Sequence, residues 1–465
     1  MRADVMELLS SVDDDVALPA PLAPGGGSRT PLPRSRTRRL FALGSMQARV
    51  AAAYALCRVR EVFATEEEKR ALRSKTHMVA AMRLLDGASY LRGMVMKVAQ
   101  ALASYGELTP REYVEVLDAL HFEAPPMHFA LLREQFRRDL GAEPERLFAS
   151  FETDAFAAAS IGQVHAARTH DGHDVAVKVQ YPGIARAIDS DTRAWLALLA
   201  SMPFLKDRRY EADVVREARA GLVRETDYRV EARTADDVAA ALADLADVVV
   251  PRVHPALSGE HVLTLDLLRG DHLDAFLARD PSQEQRDRAG ESLLRAVSRL
   301  YYGERTILGD PGPGNFLFLR DGRLGVLDFG CYRRFTDAEW ELIVAMCRAE
   351  RAGADLDALL LRCARLDAEP HVDPTHLQAL RDTTAWYFES TRHEGAFDFG
   401  DVAYLRRGME LQKRIMERRQ TRQMPVFLWQ TRSFTGTRAL LHRLRARVDH
   451  RRIDREEMER AGVVS

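Results

Sequence analysis

Leu308-Gly309-Asp310-Pro311-Gly312-Pro313-Gly314-Asn315 and, one short hairpin later, Leu327-Asp328-Phe329-Gly330 are the runs that decide the fold. Between them lie two apolar, strand-like runs, residues 316–319 and 324–327. Phosphoryl transfer spreads negative charge over the oxygens of the transferred group, so a site for it needs Mg2+ and a fixed cation. Asn315 follows Asp310 by five residues. That offset lets one loop present a catalytic carboxylate and a metal-binding amide together. Asp328 stands directly after an apolar strand, where a metal-binding D-F-G belongs. A lone D-F-G is common by chance and reads as a surface turn. Two matched motifs around one hairpin are far less easily accidental.

Working outward, residues 164–168 and 175–179 flank His170-Asp171-Gly172-His173, a hairpin signal. Period-two alternation puts Val175, Val177 and Val179 on one face, and Ala176 and Lys178 on the other. Val175-Ala176-Val177-Lys178 therefore matches the strand lysine that reaches α- and β-phosphates and pairs with a helix glutamate. Helical sequence follows from about 184 to 242 and contains Arg224-Glu225-Thr226-Asp227-Tyr228 and Glu231. Asp227 and Glu231, four apart, share a face, and Glu225 points elsewhere. No G-x-G-x-x-G precedes the lysine strand; Ala157-Ala158-Ala159-Ser160-Ile161-Gly162-Gln163 stands there. Alanine adds a Cβ and narrows the backbone choices, so a stiffer nucleotide loop is expected. After Asp328 there is no A-P-E, and helical sequence begins near residue 337. No room remains for a peptide-docking segment, so a protein substrate is not expected.

Composition sets the outer bounds. Lys plus Arg number 67 against 69 Asp plus Glu, a formal charge of −2, which gives no support for binding nucleic acid by phosphate neutralisation. Cys57, Cys331, Cys347 and Cys363 form no C-x-x-C pair and no regular framework, so reduced, isolated thiols are expected. No apolar run approaches the roughly 18 residues of a membrane span. The expected location is cytoplasmic, with at most peripheral contact at the inner face of a membrane. Residues 1–39 read as a flexible, Pro- and Gly-rich tail, and 40–140 as a helical N-terminal extension. Residues 141–268 read as an N-lobe and 269–465 as a helical C-lobe, with 438–460 as one basic, charged helix. A helical leader, a small sheet with helices, then a larger helical part make a two-lobed α+β arrangement.

With these residues in hand, the chain is similar to the AarF/UbiB/ADCK family of atypical, protein-kinase-like kinases, from about residue 40 to 447. The strongest likeness runs over Ala157-Ala158-Ala159-Ser160-Ile161-Gly162-Gln163-Val164-His165 and Val175-Ala176-Val177-Lys178-Val179-Gln180-Tyr181-Pro182-Gly183. The family's K-x-G-Q motif appears as Lys97-Val98-Ala99-Gln100, with Ala for Gly, and its E-x-D as Glu225-Thr226-Asp227. Its H-A-D-P-H-P-G-N pattern appears without either His, and the hinge Thr264-Leu265-Asp266-Leu267-Leu268 carries Asp where Glu is usual.

The resemblance implies a kinase-like fold binding ATP with Mg2+. Asp310 would be the catalytic residue, and Asn315 and Asp328 the metal ligands. Ala157, Ala158, Ala159, Ser160, Lys178, Glu231, Asp266 and Leu268 would line the nucleotide. Glu231 would pair with Lys178, and Lys97, Gln100 and Glu225 would gate the site. It further implies an ATPase or small-molecule kinase serving ubiquinone or other isoprenoid-lipid metabolism, with an isoprenoid or quinone-like lipid as partner. A catalytically weak, nucleotide-dependent lipid-binding or scaffold protein is the alternative.

Overall fold

The computed structural model of the chain describes residues 129, 132–159, 161–181, 216–217, 219–221, 223–369, 371–418 and 424–464. The chain enters through helices α1 (Arg133–Leu140) and α2 (Pro144–Leu147). A five-stranded antiparallel sheet follows, made of β1 (Ser150–Phe151), β2 (Ala157–Ala159), β3 (Gly162–Arg168) and β4 (Asp174–Gln180). Helix α3 (Tyr228–Ala241) and strand β5 (Val248–Val249) intervene before the last member, β6 (Val262–Asp266), pairs with β4. The alternation in β4 decides which way this sheet faces. Val175, Val177 and Val179 are fully buried against Leu132, Phe136, Phe148 and Val262. Burial of each such side chain contributes about 1.5–3 kcal/mol. Lys178 falls on the opposite face, toward α3.

Two boundaries differ from the sequence reading. The leader expected over 40–140 takes in α1, yet Phe136 seals the sheet, and Gly141, at φ 69, turns the chain back toward it. The left-handed conformation there favours glycine. Strand β5, placed with the N-lobe, pairs in parallel with a C-lobe strand. Residues 1–39, most of the proposed extension and Cys57 lie outside the described residues; among those described, Cys331, Cys347 and Cys363 form no disulfide.

The C-lobe opens with β7 (Gly270–Asp271), α4 (Leu273–Ala278) and the central helix α5 (Gln283–Tyr302). A Ser282/Gln285 capping box starts α5, satisfying backbone donors at its first turn. Then come β8 (Thr306–Leu308), β9 (Phe316–Leu319), β10 (Leu324–Val326) and β11 (Tyr332–Arg334). Strands β9 and β10 form the antiparallel hairpin between the two motifs, flanked by β7 and β5, and β8 pairs with β11. The rest is helical: α6 (Asp337–Arg351), α7 (Asp357–Cys363), α8 (Pro374–Arg392), α9 (Val402–Arg418), α10 (Pro425–Leu444) and α11 (His450–Arg460). Between them, β12 (Phe397–Asp398) pairs with β13 (Arg447–Val448).

Residues 438–460 are thus not one helix. Helix α10 stops where Arg445 adopts φ 51, and Ala446 and Val448 enter the core before α11 begins. Arg438 is turned inward, donating to the Tyr404 hydroxyl at 2.9 Å and the Tyr387 carbonyl at 2.7 Å. Charge composition alone reads such an arginine as solvated.

The glycines of the Asp310 loop are not equivalent. A Cβ on Gly309 would sit 2.6 Å from the Trp429 ring and 2.9 Å from the Cys331 carbonyl oxygen, whereas one on Gly314 would meet nothing within 4 Å. Gly309→Ala should therefore cost about 1–3 kcal/mol by overpacking. Gly314→Ala should be tolerated within about 0.5 kcal/mol. Denaturant midpoints of the two variants check this, and equal midpoints would contradict it.

Candidate active site

The site lies between the lobes, where β4, α3 and the loops around the β9–β10 hairpin converge. Its geometry begins with two backbone bonds: Gly309 N–H donates to Cys331 O at 2.7 Å, and Leu327 N–H donates to Asn315 O at 3.0 Å. They hold the Asp310–Asn315 loop beside Asp328-Phe329-Gly330, although the motifs are separated in sequence by the whole hairpin. Phe329 is buried in the main core, which fixes the turn from beneath.

Helix α3 supplies the acidic partner. Asp227 caps it by accepting from Arg229 N–H at 3.0 Å, and Tyr228, Glu231, Ala235 and Val238 are buried at helical spacing along one face. This face brings Glu231 Oε1 within 2.5 Å of Lys178 Nζ, with side-chain exposures of only 4% and 15%. The ammonium also lies over the Tyr228 ring, 5.6 Å from its centroid. Burial works against the charge of Lys178, but the carboxylates of Glu231 and then Asp328 more than offset it and hold its pKa above the ordinary lysine value. Burial likewise raises the Tyr228 hydroxyl pKa.

Removing one member of such a pair strands the other's charge, at a cost of about 3–5 kcal/mol. Lys178→Met should therefore destabilise the fold by that order in chemical denaturation. The double variant Lys178→Met/Glu231→Leu should recover part of the loss. A single variant as stable as wild type would show that Glu231 does not depend on this lysine.

Asp328 Oδ1 accepts Gly330 N–H at 2.9 Å. A Cβ on Gly330 would meet Asp328 Oδ1, Glu225 Cγ and Glu231 Oε2 between 3.3 and 3.7 Å, so both glutamates of the acidic segment border the D-F-G turn. Glu225 is buried. Across the cleft, Asn315 Nδ2 donates to the Asp310 carbonyl at 2.8 Å, which leaves its Oδ1 as the acceptor that can ligate a cation. Hard oxygen donors such as the Asp328 carboxylate and this amide oxygen suit Mg2+.

The remaining expected site residues lie on β2, at the end of β6 and just after it. Ala157–Ala159 are strand rather than loop, pairing with Gly162–Val164, so the alanines form one arm of a hairpin. Strand geometry tolerates the Cβ of alanine that a Gly-rich loop would exclude. Asp266 ends β6, accepting from His254 Nε2 at 2.7 Å, and Leu268 packs 3.0 Å from where a Gly325 Cβ would stand. Lys97, Gln100 and Ser160 lie outside the described residues.

Sequence reasoning missed Arg432. Helix α10 passes beneath the loop, with Trp429 against Gly309 and Gly436 against Pro311. Between these contacts Arg432 reaches up to pair with Asp310 Oδ1 at 3.0 Å. Only the three-to-four-residue spacing of 429, 432 and 436 hints that one face of this helix serves the loop.

A five-stranded sheet bearing a paired lysine, set over a helical lobe that carries a D-x4-N loop and a D-F-G turn, defines a protein-kinase-like fold. Residues 119–353 match the ABC1 atypical kinase-like domain. The chain belongs to this family, the AarF/UbiB/ADCK atypical kinases. It is 30% identical over 286 residues to AarF domain-containing protein kinase 1 of Xenopus laevis, covering 60% of this chain and 55% of that one. Against the mitochondrial atypical kinase COQ8 of Saccharomyces cerevisiae it is 31% identical over 310 residues, covering 66% and 61%. The matched region thus spans somewhat over half the length of these relatives. Among solved structures, the complex of Rv3197 with erythromycin from Mycobacterium tuberculosis superposes with a TM-score of 0.54 at 25% identity, covering 83% of this chain and 98% of that one.

Proposed function

We propose that the chain binds ATP with Mg2+ in this cleft and transfers or hydrolyses its terminal phosphoryl group. The observation that carries the reading is the convergence of the Lys178–Glu231 pair, Asp328 and the Asp310/Asn315 loop on one cleft. Lys178, held by Glu231, is placed to bind the α- and β-phosphates. Asn315 and Asp328 would hold the metal. The metal held by these two side chains would supply positive charge to offset the negative charge of the phosphates. Asp310 orients the attacking hydroxyl or water and accepts its proton. Lys97 and Gln100 are proposed to close the site through Glu225, by the family resemblance alone.

The same resemblance extends the proposal to a role in ubiquinone or other isoprenoid-lipid metabolism, with a lipid-like substrate or effector and peripheral membrane contact. No helix among the described residues is long and apolar enough to cross a membrane. ATP turnover by the purified protein, with and without anionic liposomes and isoprenoid phenols, tests this. No turnover under any of these conditions would leave the scaffold reading in its place.

One observation favours that second reading, a catalytically weak nucleotide-dependent scaffold: the carboxylate of Asp310 is already engaged by Arg432. We read Arg432 instead as a positioning residue that aims Asp310. Arg432→Gln is then expected to lower turnover about 10–100-fold with nucleotide affinity retained, since small misplacements of a reacting group cost rate in that range. Faster turnover in the variant would mean that the ion pair restrains the site.

A further inference from the structure

Helix α3 presents Glu231 from its first turn and ends at a set of charges that the nucleotide site does not use. Its own last turn holds no basic residue, so nothing within the helix offsets the negative end of its dipole. The C-lobe supplies that charge. Arg299 Nη1, from α5, donates to Asp244 Oδ1 at 2.5 Å and lies 3.5 Å from the Ala241 carbonyl oxygen. Arg460, in the last turn of α11, donates to Asp244 Oδ2 at 2.6 Å. Asp244, just beyond the end of α3, is thus held at both carboxylate oxygens. Between Glu231 and Ala241 the helix rises about 15 Å.

The clamp is itself anchored. Arg299, whose side chain is 7% exposed, also donates to Glu457 of α11, through Nη2 at 3.0 Å and through Nε; the Glu457 side chain is 2% exposed. A two-pronged arginine–carboxylate pair fixes direction as well as distance. On the apolar side, Val238 and Leu242 bury into the same core as Leu293 and Leu300 of α5 and Phe329 of the D-F-G turn. The β4 valines pack in a different core, against α1. The far end of α3 is therefore tied to the lobe that bears Asp328, while Lys178 is carried by the sheet. Buried ion pairs add little net stability, because desolvation offsets most of their attraction.

We infer that Asp244 is a positioning residue for the Lys178–Glu231 pair: held by Arg299 and Arg460, it fixes the far end of α3 and so sets where Glu231 presents its carboxylate to Lys178. The inference rests on the nucleotide reading proposed above, and it gives the C-terminal helix α11 a part in that site. Calorimetric titration of ATP with Mg2+ into the full chain tests it. Asp244→Asn keeps the size of the side chain and removes its charge. It should weaken binding about fivefold, the upper range for an ion pair with one half-exposed member. Asp244→Glu keeps the charge and should restore affinity to within about twofold of wild type. In a Glu231→Gln background, Asp244→Asn should cost less than about twofold, because the clamp acts through Glu231. Unchanged affinity in Asp244→Asn, no recovery with Asp244→Glu, or an equal loss in the Glu231→Gln background would overturn the inference and leave the nucleotide reading standing. Wild-type protein that binds no ATP would overturn that reading, and the inference with it.

Discussion

Asp310→Asn is expected to reduce ATP turnover by about 10²–10⁴-fold, the usual contribution of a general base, while nucleotide affinity stays within a few-fold of wild type. The substitution keeps the size of the side chain. It also keeps the backbone bond from Asn315 Nδ2 to the residue 310 carbonyl, so the loop has no reason to rearrange. What it removes is the proposed proton acceptor and the charge that Arg432 Nη2 meets at 3.0 Å. Single-turnover kinetics with ATP alone and with an added hydroxyl acceptor make the measurement. Equal rates in the variant and wild type would place any hydrolysis elsewhere.

Asp328→Asn should abolish most of the stabilisation that Mg2+ and ATP confer. A ligand at 100 times its dissociation constant raises stability by about 2.7 kcal/mol, and that increment is what should disappear. Asparagine at 328 can still accept from Gly330 N–H through its Oδ1, so the turn itself should persist. The lost charge is one that faces Lys178 and would face a dication, where charge-assisted contacts are strongest. Thermal melts with and without Mg2+ and ATP distinguish the cases. A nucleotide-induced shift unchanged in Asp328→Asn would remove this residue from the metal site.

The parts of this molecule legible from the sequence are those whose signal is local. The Asp310-to-Asn315 offset and the D-F-G turn are spacings, and the hairpin between them appears where its apolar runs predict it. Period-two alternation in β4 correctly separates the buried valines from Lys178. Contacts between distant segments are another matter. Lys178 and Glu231 are joined by a helix face that sequence periodicity identifies only as acidic, and naming the partner required the family resemblance.

Arg432 shows the limit most clearly. It lies on a helix whose residues face the Asp310 loop on one side and an apolar cavity on the next, so no single amphipathic stripe marks it. The strands β8 and β11 have three residues each, too short to carry a periodic signal. The charged C-terminal stretch misled because Arg438 is buried by hydrogen bonds and aromatic rings supplied from α8, α9 and α10, information absent from local composition. The alanine hairpin was legible in position but not in conformation, since strand pairing depends on β3 across the turn.

Calorimetric titration of ATP into the purified full chain, in the presence and absence of Mg2+, bears most directly on the proposal that this cleft is a nucleotide site. The expected result is saturable binding at one site per chain that requires Mg2+, is competed by ADP, and is weakened in both Lys178→Ala and Asp328→Asn. Folded protein that binds neither nucleotide, or that binds ATP equally well with both substitutions in place, would contradict it.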